Sequence, residues 1–192
     1  MGRKIGLLGG TFDPPHLAHL MIAQESMDAC KLNEVWFIPT SIPPHKQNED
    51  MANADDRVEM TRLAINDRAP FRLCTIELDR EGPSYTLDTM KILKQKYAND
   101  EFYFIIGSDM AASLHTWNGI EELNKLVTFI VTTRPDYAVD SPFEKDFIKV
   151  NVPEMELSSS DVRERVKKQI SIRYLVPEAV RTYVEENRLY GS

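Results

Sequence analysis

The sequence predicts an α/β fold, a doubly wound parallel sheet with helices on both faces, in a single domain over residues 1–192. Three observations carry this. Short, continuously apolar runs recur, among them EVWFIP, EFYFIIG and VTFIVTT. They are too short for helices and lack the alternation of half-solvated strands, so they read as strands buried on both faces. Between them lie longer stretches with apolar residues at helical spacing. The two kinds alternate as β-α-β-α-β-α-β-α-β, the order that a parallel sheet with crossover helices needs.

Taken along the chain, residues 4–9 (KIGLLG) form the first strand, closed by a Gly-Gly pair. Residues 16–32 carry Leu17, Leu20, Met21, Ile22, Met27 and Cys30 as a helical stripe, and residues 34–39 form the second strand. Residues 40–54, rich in proline and asparagine, read as a polar loop. An amphipathic helix follows at 55–67, a strand at 71–78, a turn at 79–84 and a helix at 85–97. The fourth strand is 101–107; residues 108–126 are helical with a break near Asn118-Gly119; the fifth strand is 127–133 and the last is 146–153. Two helices close the chain, 158–169 and 177–189, the second with Pro177 suited to its first turn. There is no internal repeat and no linker that would separate domains.

Composition narrows the function classes. The net charge is −7 and the pI about 5.2, so a nucleic-acid partner, which needs a broad basic footprint, is disfavoured. Cys30 and Cys74 lie far apart without metal-type spacing, which favours a reducing cytoplasm. No apolar run approaches the roughly 20 residues of a membrane helix. The start, MGRKIGLLGGTFD, is basic, but its apolar stretch ends too soon for a signal peptide, and Gly6 stands where a myristoylation pattern needs Ser or Thr.

In doubly wound sheets ligands bind beyond the carboxyl ends of the strands, and the unusual residues collect there: GGTFDPPH after the first strand, GSD after the fourth, TTRP after the fifth. Gly9 and Gly10 permit close approach to backbone. Pro14 and Pro15 stiffen the turn ahead of a helix start. His16 and His19, three apart, fall one above the other at that start, where free amides and the helix dipole favour an anion. Phosphate is the obvious one, although neither standard glycine-rich phosphate loop is present. A plain tight turn, or a metal held by the histidine pair, remain the alternatives at this level. Near the far end, Ser158 and Asp161 have capping-box spacing, which would start a helix with Ser159, Ser160 and the planar donor fork of Arg163 on its first turns.

GGTFDPPHLAH resembles the (T/S)-x-x-H-x-G-H signature of the nucleotidyltransferase superfamily, and LSSSDVRER resembles its I-S-S-T-x-x-R signature. Across essentially the whole chain the sequence is similar to the bacterial nicotinate-nucleotide adenylyltransferases. The resemblance implies a Rossmann-like sheet and transfer of AMP from ATP to nicotinate mononucleotide, giving deamido-NAD and pyrophosphate. It implies catalytic roles for His16, His19 and Arg163. It implies ATP contacts from Gly9, Gly10, Thr11, Phe12, Gly107, Asp109, Arg134, Ser159 and Ser160. Nicotinate mononucleotide would meet Lys46, Thr86 and Trp117. Mg²⁺ would enter with ATP and have no protein cage; a homodimer is in keeping with the family. Two positions depart from the pattern: Ala18 replaces the signature glycine, and Asn118 follows Trp117 where relatives often have an aromatic residue. Arg57 reads as a packing or salt-bridge residue. The alternatives are a phosphopantetheine adenylyltransferase, a non-catalytic nucleotide sensor, and, from another class, a synthetase-type ligase, for which the chain is too compact and too acidic.

Overall fold

Buried apolar runs become the central strands. A computed structural model describes residues 2–41, 51–66, 70–80, 85–133 and 141–191. Its strands β1 (Lys4–Gly10), β2 (Glu34–Pro39), β3 (Phe71–Leu73), β4 (Glu101–Gly107), β5 (Thr128–Thr133) and β6 (Ile148–Asn151) form one sheet in the order β3-β2-β1-β4-β5-β6. Pairing is parallel from β1 through β4 and β5 to β6, with Leu8 opposite Ile105 and Ile106 opposite Val131. The order grows outward from β1 in both directions, so the winding reverses beside β1, as in the doubly wound class. Ile5, Leu7, Phe37, Ile38, Ile130 and Val131 are wholly buried, as strands covered on both faces require.

The helices are α1 (Leu17–Cys30), α2 (Ala54–Ile65), α3 (Thr86–Lys96), α4 (Ser108–Ala112), α5 (Ile120–Leu126), α6 (Ser159–Lys167) and α7 (Glu178–Glu186). Two expectations are corrected. The strand expected over 71–78 ends at Leu73: the Thr75 carbonyl accepts from the amides of Leu78 (2.8 Å) and Asp79 (3.1 Å), which turns the chain out of the sheet. Periodicity alone did not separate this buried turn from strand. The helix expected over 108–126 is two helices joined by a 3-10 turn, Leu114–Thr116. Its break falls where the sequence placed it: Gly119 has φ 67° and caps α5, and a Cβ there would lie 2.5 Å from the Leu87 side chain.

The chain divides into two compact units. One comprises Met1–Gly9, Met21–Trp36 and Ser84–Glu154. In it Arg3 joins Asp100 (2.6 Å) and Glu34 (3.2 Å), and α3 packs on α5. The other comprises Gly10–Leu20, Phe37–Pro83 and Met155–Ser192. In it α2 packs on β3 and α7, and a closing 3-10 turn, Leu189–Gly191, packs on α6 and α7. The Asn53 side chain caps α2 by accepting from the Asp56 amide, and Tyr183 on α7 donates to the Asp56 carboxylate at 2.9 Å.

Candidate active site

The segment between β1 and α1 is held from several sides within the second unit. A Cβ on Gly10 would lie 3.0 Å from the Phe12 ring, so glycine lets that ring fold back. Phe12 has φ 50° and is buried against Phe37 (5.6 Å) and edge-on to His19 (5.0 Å). Arg57, 1% exposed, donates from one guanidinium nitrogen to the carbonyls of Thr11 and Thr40, each at 2.9 Å. Where the sequence suggested packing or a salt bridge, its hydrogen bonds fasten backbone. Pro14 and Pro15 then lead, buried, to His16.

His16 immediately precedes α1 and His19 is its third residue. Their rings stack at 3.7 Å with 21° between planes. The His16 amide donates to Nδ1 of His19 at 3.2 Å, as a capping-box side chain at that position would accept it. Nδ1 is therefore an acceptor, and the imidazole proton of neutral His19 sits on Nε2. Burial pushes the His16 imidazole down to about 4, with Asp161 pulling weakly the other way. Burial, then the neighbouring His16, hold His19 well below its ordinary range. The amides expected to be free at this helix start are partly taken: Leu17 donates to the Leu175 carbonyl (2.9 Å) and His19 to that of His16 (3.0 Å). The ring N–H groups are the better donors. Ala18 is buried, its methyl packed within the protein.

α6 meets this segment. Ser158 and Asp161 form the predicted capping box. Arg163 donates to the Asp13 carbonyl at 2.8 Å and to Ser160 Oγ at 3.2 Å, and lies 3.5 Å from the Asp13 carboxylate. The Ser159 hydroxyl donates to the Pro14 carbonyl at 2.8 Å. Among the described residues His16, His19, Ser159, Ser160 and Arg163 are thus gathered on one loop and one helix start. Gly9, Gly10 and Thr11 are half-buried at the strand end.

Sequence reasoning gave no role to Asp13 or Tyr190. Asp13, 1% exposed, accepts on Oδ1 from the Ala52 amide (3.0 Å) and the Tyr190 hydroxyl (2.7 Å). Its partners lie 39 to 177 positions away, so no local spacing announces them.

The remaining predicted residues belong to the other unit or lie outside the described residues. Gly107 ends β4, and a Cβ there would touch nothing among the described residues, so packing does not demand glycine. Asp109 is exposed on α4, and Thr86 opens α3 half-buried. Trp117 is half-buried, edge-on to Phe104 (6.0 Å) and Phe129 (6.4 Å), and Asn118 is exposed. Lys46 and Arg134 lie outside the described residues.

A family model described as cytidylyltransferase-like matches residues 7–165. The nicotinate-nucleotide adenylyltransferase of Bacillus subtilis (strain 168) is 50% identical over 190 residues, covering 99% of this chain and 100% of the relative. The probable nicotinate-nucleotide adenylyltransferase of Geobacillus thermodenitrificans is 51% identical over 98% of this chain and 87% of the relative. The nicotinic acid mononucleotide adenylyltransferase of Plasmodium falciparum, solved in complex with NaAD, shares the fold with a TM-score of 0.79 at 23% identity, over 98% of this chain and 97% of that one. The chain belongs to the cytidylyltransferase-like family of nucleotidyltransferases. Within that family it stands among the nicotinate-nucleotide adenylyltransferases.

Proposed function

We infer that the protein transfers AMP from ATP to nicotinate mononucleotide, giving deamido-NAD and pyrophosphate, a step of NAD biosynthesis. The observation that carries this is the stacked His16–His19 pair, which begins three residues beyond the Asp13 carbonyl to which Arg163 donates, in a chain half identical to named adenylyltransferases from end to end. The acceptor phosphate is already an anion, so no general base or covalent nucleophile is needed. It attacks the α-phosphorus in line, and pyrophosphate leaves. The protein contributes alignment and donors for the charge that develops on the phosphates.

In this reading His19 donates from Nε2 near the α-phosphate, with His16 beside it. Arg163, Ser159 and Ser160 serve the departing phosphates; the Ser159 hydroxyl, turned to Pro14, would do so through its amide or after rotation. Gly9, Gly10, Thr11 and Phe12 shape the nucleotide cleft. Gly107 and Asp109 are assigned to the ribose and Arg134 to the adenine. Lys46, Thr86 and Trp117 are assigned to the mononucleotide. We also propose a homodimer, a cytoplasmic setting consistent with the wide sequence separation of Cys30 and Cys74, and one catalytic domain over 1–192, since neither compact unit is a continuous stretch. Among the described residues no group of three or more His, Cys, Asp or Glu side chains is placed to hold a metal ion. Mg²⁺ would ride on the triphosphate, held by phosphate oxygens and water.

The test follows pyrophosphate from ATP·Mg²⁺ with nicotinate mononucleotide, nicotinamide mononucleotide or phosphopantetheine. Release is expected fastest with the first. Release fastest with phosphopantetheine, or from none of the three, overturns the reading. His19→Ala is expected to retain its circular dichroism spectrum while turnover falls roughly 10²–10³-fold, as for loss of a transition-state donor.

A further inference from the structure

We propose that Asp13 and Tyr190 are positioning residues: the Tyr190 hydroxyl locks the Asp13 carboxylate, which holds His16, His19 and Arg163 in register. The proposal rests on the catalytic reading above and extends it to two residues that touch no substrate in that reading.

The geometry is specific. Asp13 engages both halves of the catalytic set. Its carbonyl accepts from Arg163 at 2.8 Å and its Oδ2 lies 3.5 Å from the same guanidinium nitrogen. Toward the histidines the chain runs through Pro14 and Pro15, whose rings fix φ. Two consecutive prolines make a short stiff strut, so a displacement of Asp13 is carried to His16 and hence to the stacked His19 rather than absorbed. The Ser159 bond to the Pro14 carbonyl, 2.8 Å, ties the middle of that strut to the helix bearing Arg163.

What fixes Asp13 itself is Oδ1, which accepts from the Ala52 amide and from Tyr190. Tyr190 reaches it from a strained backbone, with φ 59° and ψ 19° in the left-handed region that a bulky residue seldom occupies. Such a conformation persists where surrounding contacts over-determine it, and it is a pointer to function. Here Tyr190 is 8% exposed as a whole residue and its hydroxyl is 2.7 Å from the carboxylate. Burial and the adjacent Asp13 push the phenol far above its ordinary range, so it remains a donor at any working pH.

Loss of the hydroxyl should therefore act on the chemical step more than on substrate binding. Misplacement of transition-state donors lowers kcat with little change in KM. Tyr190→Phe keeps the ring and removes the donor. The expected result, per folded molecule, is a kcat about ten-fold lower, KM values within about two-fold of wild type, and shifted imidazole resonances of His16 and His19 at neutral pH. Asp13→Asn, whose amide oxygen still accepts from Ala52 and Tyr190, should retain at least ten-fold more activity than Asp13→Ala. If Tyr190→Phe does not fold, the Asn variant and its histidine resonances decide instead. Unchanged kcat and unchanged imidazole resonances in a folded Tyr190→Phe, or a loss confined to thermal stability or KM, overturns the proposal. Wild type is assayed alongside: a silent wild type condemns the catalytic reading, while the imidazole shifts still report on the positioning.

Discussion

Loss of solvation pushes the His16 imidazole down to about 4 and holds His19 well below its ordinary range, so both favour the neutral form at neutral pH. That suits a donor role, since a neutral imidazole whose Nδ1 already accepts can offer only Nε2–H, in a fixed direction. It also makes acid destabilising. A free histidine takes up a proton near pH 6.5, whereas folded His16 does so only near pH 4. Its contribution to stability is therefore complete above about 6.5 and declines as the pH falls toward 4, by roughly 2–3 kcal/mol. Urea midpoints at pH 7 and pH 4.5 check this. Wild type should lose more between them than His16→Gln, and equal losses would contradict the assignment. The pair was legible from the sequence because a spacing of three is local and places two rings together on any helix start. Asp13 and Tyr190 were not legible. Each is an ordinary residue whose meaning comes from a partner distant in the chain.

At the scale of elements, the strands were the most readable part, because burial on both faces leaves an unbroken apolar run. β3 and β6 were exceptions: β6 buries only Val150, while the continuation of β3 stays buried at Ile76 and Glu77 as the backbone turns away, and burial without periodicity looks the same in strand and turn. The capping box of α6 was readable from Ser158 and Asp161 alone, since both its bonds close within four residues. That cap sets where the helix starts, and so where Ser159, Ser160 and Arg163 lie along it. Ser158→Ala is expected to lower the unfolding free energy by about 1 kcal/mol, the usual loss for such a cap, measurable by chemical denaturation. No change in midpoint would mean that the helix start is held by Ser159 and Arg163 instead.

For the molecule as a whole, charge and chain order matter more than any one contact. A net charge of −7 with no expected polymer substrate predicts that the protein passes through a heparin column at physiological salt; firm, salt-eluted retention would reveal a basic face that the composition hides. The doubly wound class was legible because strands and helices alternate along the chain. How the loop that bears Asp13 is fastened was only partly legible, because two of its partners lie far along the chain: Arg163 is 150 positions beyond Asp13 and Tyr190 is 177 beyond it. That separation has a consequence in synthesis. Asp13 is translated 150 residues ahead of Arg163 and 177 ahead of Tyr190, so in a nascent chain the segment that bears the two histidines lacks these two contacts until both have emerged, although Ala52 and Arg57 reach it earlier.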